Sequence, residues 1–100
     1  MTEYRLISEP PADVDVEAAF GWYENERQRL GLEFLDELRA AYDRIADGPL
    51  KYRELRGGIR RALLRRFPYA VYFAIEGAVV VVVAVLHASR DPAEWQRLRG

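Results

Sequence analysis

His87 is the one side chain in this chain of 100 residues that titrates near neutral pH, and it stands three positions before Arg90. A second set of chemically able groups precedes it: Arg60, Arg61, Arg65 and Arg66. A histidine near arginines could act as a general base or acid while the cations hold developing negative charge. The plainer role for His87 is a ring that packs under Trp95 or hydrogen-bonds a backbone carbonyl at the end of a strand. The arginines have three readings: contacts to nucleic-acid phosphates, contacts to an acidic segment of a partner protein, or a solvated strand face paired with acidic helices of the same chain. Tyr69 and Tyr72 lie close enough in sequence to stack on bases beside those cations, although tyrosines in strands more often build core or groove walls. Trp22 and Tyr23 read as packing residues of a helix.

Other chemistries are excluded by composition. Cys is absent and His occurs once, so there is no disulfide framework, no thiolate metal site and no His-rich cage; no metal or cofactor is expected. The one long apolar run, around Val79 to Leu86, is too short to span a bilayer, and a cytoplasmic protein is the expectation. Net charge is −1, but residues 1–50 hold twelve Asp/Glu against five Lys/Arg while residues 51–100 hold four against ten. Such asymmetry provides either a positive face for an anionic partner or two halves that attract each other.

These residues need elements to position them. The length supports a single domain over residues 1–100. Tyr4–Ser8 reads as a short strand stopped by Pro10-Pro11. Asp13 is the expected N-cap of a helix that runs to about Arg29, with Val16, Ala19, Phe20, Tyr23 and Leu30 on its apolar face. Gly31 should break it. A second helix from Leu32 to Asp47 carries Phe34, Leu35, Leu38, Ala41, Tyr42 and Ile45 at helical spacing and ends at Gly48-Pro49. The break is short, so the helices form a hairpin that requires a third layer. After a charged loop, Ile59–Phe67 alternates as a strand with two arginines on each face, Tyr69–Ile75 follows, and Glu76-Gly77 turns into Val79–Leu86. That last strand is apolar throughout, so both its faces are covered and it is central. On it, Val81, Val83 and Val85 should face one layer and Val80, Val82 and Leu86 the other. Asp91-Pro92 should end the sheet, with a turn or short helix over Ala93 to Leu98. The expected fold is α+β, in the order β-α-α-β-β-β, an antiparallel sheet packed against an N-terminal α-helical hairpin.

Trp22-Tyr23-Glu24, Gly31-Leu32 with Phe34-Leu35, Ile59-Arg60-Arg61, Phe67-Pro68-Tyr69 with Val71-Tyr72-Phe73, and His87 with Arg90-Asp91-Pro92 and Trp95 together resemble the RelE/ParE superfamily of type II toxins, closer to its ParE-like branch. Each piece is short, but their order and spacing run through nearly the whole chain. The resemblance implies a toxin neutralised by a cognate antitoxin, with which it forms a hetero-oligomer. RelE-like members cut mRNA on the ribosome; ParE-like members poison DNA gyrase without being hydrolases. In RelE-like nucleases a catalytic arginine follows the aromatic residue that opens the third strand, and a tyrosine or histidine near the C-terminus assists proton transfer. Here Ala70 and Trp95 stand at those places, and an indole nitrogen does not titrate usefully. His87 with Arg90 resembles the ParE-like His-x-x-Arg pattern, for which no catalytic role is implied. The expectation is therefore a ParE-like inhibitor of gyrase or a related topoisomerase, with no catalytic residues. Arg60, Arg61, Arg65 and Arg66 are expected to bind the antitoxin, and Arg90 and Trp95 to contact the target. The alternatives are an mRNA endoribonuclease using His87 with Arg61, Arg65 or Arg90, or an inactive toxin kept as an antitoxin-binding protein.

Overall fold

The computed structural model describes residues 3–89. Its elements are β1 (Arg5–Ser8), α1 (Pro10–Glu26), α2 (Leu30–Asp47), a 3-10 turn at Pro49–Lys51, β2 (Ile59–Leu63), β3 (Tyr69–Glu76) and β4 (Val79–His87). The sheet order is β1-β4-β3-β2, with both helices on one face. The expected α+β architecture is present, and β4 is central as its apolar run requires. The sheet is mixed, because β1 pairs with β4 in parallel while the other two pairs are antiparallel. Only strands joined by a tight turn are forced antiparallel, and the whole helical hairpin separates β1 from the sheet it joins.

Pro10 and Pro11 open α1 instead of merely ending β1. Proline suits the first helical turn, where its missing N–H is no loss and its fixed φ is already helical. The N-cap is thus Glu9, and Asp13 sits in the first turn, where its Oδ1 accepts from the Ser8 hydroxyl at 2.6 Å. α1 ends at Glu26, three residues before the expected end. The chain reverses through Arg29, whose φ of 75° is left-handed. Glu24 makes this turn possible: its two carboxylate oxygens accept from the Arg29 and Gly31 amides at 3.0 Å each, satisfying free N–H groups at the start of α2. Gly31 therefore does not break a helix. It lies inside α2, and a Cβ there would meet the Phe20 ring at 2.8 Å and the Phe20 backbone oxygen at 2.9 Å, so glycine allows the two helices to approach closely.

The core lies between helices and sheet. Phe34, Leu38, Ala41 and Ile45 of α2 and Ala12 and Ala19 of α1 pack with Val71, Phe73, Val80, Val82 and Val85, with Leu35 and Tyr42 at its margin. The far face of the sheet carries Ile59, Ala70, Tyr72, Ala74, Val81, Val83 and Ala84, all buried, with Leu55 packed against them. Simple alternation fails at one point in β4. Tyr72 pairs with Ala84 but Phe73 pairs with Val82, so Val83 is an extra residue, a β-bulge. The bulge shifts the pattern beyond it by one, which puts Val85 on the helix side and Leu86 on the far side, the reverse of the alternation read from sequence. Phe67 likewise belongs to the helix-side core and not with Ile59, because β2 stops at Leu63 and the corner beyond leaves the pleat. Arg90, Trp95 and the turn or helix expected over Ala93 to Leu98 lie outside the described residues.

Candidate functional site

The corner between β2 and β3 is tied down by several backbone bonds. Leu64 N–H donates to the Tyr69 carbonyl at 2.9 Å, Tyr69 N–H to Phe67 at 2.8 Å, and Ala88 N–H to Pro68 at 2.7 Å, so the corner is fastened to the turn that follows β4. Beneath it, four rings from four elements meet. Tyr23 of α1, Phe34 of α2, Phe67 of the corner and Tyr69 of β3 have centroids 4.8–6.0 Å apart. Tilted and edge-to-face contacts predominate, the arrangement the ring quadrupoles favour. Burial, and then the neighbouring Tyr69, raises the Tyr23 pKa.

From α2, Glu33 and Glu37 reach up to the same corner. The Glu37 carboxylate accepts from both the Arg65 and Arg66 backbone amides. Glu33 pairs with the Arg66 guanidinium at 2.8 Å and with Arg27 at 3.2 Å. These hydrogen bonds, Arg66 first, hold the Glu33 carboxyl below its usual pKa and raise that of Arg66. Arg66 also lies 5.4 Å from the Phe67 ring centre. Sequence reading passed over Glu33 and Glu37. Their signal was an acidic pair at i, i+4 on the outer face of α2, which is indistinguishable from an ordinary solvated face until the corner is placed beside it.

The four arginines expected to act together are divided. Arg60 points to the helix side, where its guanidinium donates to the Tyr52 carbonyl at 2.6 Å and pairs with Glu54 at 3.5 Å. Arg61 faces the opposite side, in register with Tyr72. Arg65 and Arg66 sit in the corner, not in a strand. Among the described residues Arg61 and Arg65 have no ion-pair partner, whereas Arg60 and Arg66 do. For these two, the reading as cations paired with acidic residues of the same chain describes the geometry.

His87 closes β4 directly across from Tyr69, with ring centroids 5.3 Å apart. Its Nδ1 accepts from the Ser89 backbone N–H at 3.1 Å and lies 2.7 Å from the Ser89 hydroxyl. This contact occupies Nδ1, which can take a proton from a substrate only if the Ser89 contact breaks. His87 and Arg61 lie on opposite faces of the sheet, while Arg65 lies in the corner beyond the end of β2. Ala70 is 1% exposed on the far face, with no cation of its own to offer. No group of three or more His, Cys, Asp or Glu that could hold a metal occurs among the described residues. Nor is any of their helices long and apolar enough to cross a membrane.

A helical hairpin on a four-stranded mixed sheet of order β1-β4-β3-β2 is the fold of RelE/ParE toxins. The chain superposes on a structure of the chromosomal ParDE toxin–antitoxin system of P. aeruginosa with a TM-score of 0.76 at 15% identity, covering 85% of this chain and 96% of that one. It also superposes on the toxin–antitoxin complex RelBE2 of Mycobacterium tuberculosis with a TM-score of 0.59 at 20% identity, covering 86% and 99%. No curated protein matches it significantly in sequence. The family model for the ParE toxin of the type II toxin-antitoxin system parDE matches residues 6–92, and the chain belongs to that family.

Proposed function

We propose that this toxin acts as a ParE-like poison of DNA gyrase or a related topoisomerase, without hydrolysing nucleic acid, and that a cognate antitoxin neutralises it in the cytoplasm. The observation that carries this reading is the scattering of the groups a nuclease would need. Cleavage by 2′-hydroxyl attack requires a proton acceptor and cations around one phosphate. Here the buried Ala70 stands where the resembling nucleases have an arginine, the His87 Nδ1 is engaged by Ser89, and Arg61 is on the other face of the sheet. The ParE family match over residues 6–92 supports the same reading. Arg90 and Trp95 remain the proposed target contacts.

Arg61 and Arg65 are the members of the arginine set that face a partner, and an antitoxin segment carrying acidic and apolar residues suits them and the exposed Leu63 between them. Arg60 and Arg66 hold the fold instead. The purified protein should convert supercoiled plasmid to broken DNA in the presence of gyrase while primer extension on ribosome-bound transcripts shows no cuts. Codon-positioned cuts that vanish in His87→Gln would overturn the proposal and establish the nuclease alternative; absence of both activities would point to a toxin kept only for antitoxin binding. Replacing Arg61 and Arg65 with Glu should weaken binding to the cognate antitoxin without lowering thermal stability.

A further inference from the structure

The backbone beyond β2 is held from a helix and not from a strand. β2 stops at Leu63, and the Leu64 N–H still finds the Tyr69 carbonyl across the corner at 2.9 Å. The next two amides, of Arg65 and Arg66, lie past the ladder. One oxygen of Glu37 takes both: its Oε2 accepts from the Arg65 N–H and, at 2.7 Å, from the Arg66 N–H, across 28 and 29 residues of chain. The same arrangement sorts two adjacent cations. The Arg66 guanidinium is drawn back to α2 by Glu33 at 2.8 Å and lies 5.4 Å from the Phe67 ring centre. Arg65 is exposed and has no ion-pair partner among the described residues, although a carboxylate sits on its own backbone, because that carboxylate is engaged by amides and not by the side chain.

We propose that Glu37 is a positioning residue for partner binding: it fixes the corner from which Arg65 extends, so that the free guanidinium is held out to a carboxylate of the antitoxin. The inference rests on the reading that Arg65 binds the antitoxin. A corner without Glu37 would have to be ordered as the partner arrives, and ordering a loop on binding lowers affinity. Arg61 provides the contrast. It extends from β2, where it pairs with Tyr72, so the ladder holds its backbone and Glu37 does not. The role belongs to an acceptor oxygen and not to the negative charge, which by itself disfavours an acidic partner. Glutamine offers an acceptor oxygen at the same position, and alanine offers none.

The test titrates the full chain with the cognate antitoxin in a calorimeter at moderate salt. Arg65→Ala and Arg61→Ala should each weaken binding about tenfold. In a Glu37→Ala background, Arg65→Ala should weaken it further by less than about threefold, whereas Arg61→Ala should keep its effect of about tenfold. Glu37→Gln should bind within about threefold of the wild type and keep the full effect of Arg65→Ala. The two Glu37 bonds lie at the surface, where water can take over the amides, so Glu37→Ala should fold. Hydrogen exchange followed by NMR should show the Arg65 and Arg66 amides exchanging at least about tenfold faster in Glu37→Ala, with the amides of β3 and β4 unchanged. An Arg65 effect undiminished in Glu37→Ala, a Glu37→Gln variant that behaves like Glu37→Ala, or unaltered exchange at Arg65 and Arg66 would each overturn the positioning role. No loss of affinity for Arg65→Ala in the otherwise wild-type chain would instead overturn the antitoxin reading of Arg65, and this inference with it.

Discussion

Phe34→Ala tests whether the aromatic cluster holds the corner to the helices. Phe34 is fully buried, and its ring lies 5.5 Å from Tyr23, 5.5 Å from Phe67 and 5.3 Å from Tyr69, centre to centre. Truncating a buried phenylalanine typically costs about 3–5 kcal/mol through lost transfer energy and the cavity left behind. Here the cavity would open beneath a corner pinned by Glu37 and by Ala88, which restricts collapse and places the expected loss near the upper end, about 4 kcal/mol. Against a typical total of about 5–15 kcal/mol, that removes much of the stability. Urea denaturation followed by circular dichroism should give a lower midpoint with an unchanged slope, and Tm should fall by about 15–25 °C for a domain of this size. Phe67→Ala should not add independently, since the two rings are in contact at 5.5 Å; the double mutant should show coupling of at least about 0.5 kcal/mol. A loss below about 1 kcal/mol for Phe34→Ala, or strict additivity with Phe67→Ala, would refute the view that these rings join helices and corner.

Two glycines should respond with opposite signs. Gly31→Ala should lose about 1–3 kcal/mol from the clash with Phe20, whereas Gly21→Ala, with nothing within 4 Å of the added Cβ, should gain up to about 1 kcal/mol from helix propensity; thermal melts that move in the same direction would contradict the packing described. Burial, with smaller contributions from Asp13 and Asp15, raises the Tyr42 pKa from 10.0 to about 12. The folded state therefore keeps a proton that the unfolded chain releases, so this contribution is intact below pH 10 and is lost as pH rises toward 12. Allowing for solvent screening, the wild type should lose about 1–2 kcal/mol over that window. Tyr42→Phe should remove that part of the alkaline decline, and an unaltered pH profile in the variant would count against the cause assigned here.

Much of the molecule follows from local chemistry that the sequence displays directly. The i, i+4 spacing from Phe34 to Ile45 defines the inward face of α2, and a strand with only apolar side chains from Val79 to Leu86 has to be covered on both faces, so the helical hairpin, the central strand and the order of elements are all readable from periodicity. The motif spacing carried the family. What only the tertiary structure decided were the places where one residue's role depends on a distant backbone. The bulge at Val83 exchanges the sides of Val85 and Leu86 although no residue type marks it. The turn between the helices rests on Glu24 reaching Arg29 and Gly31, which turns an apparent helix breaker into a contact point. The arginines, adjacent in sequence, are parted because a strand sends neighbours to opposite faces and a corner abandons the alternation, and Glu33 and Glu37 take up the corner from a helix about thirty residues earlier. Side-chain period belongs to the local chain. Which charge meets which depends on how the layers come together, and that is decided by packing over the whole domain.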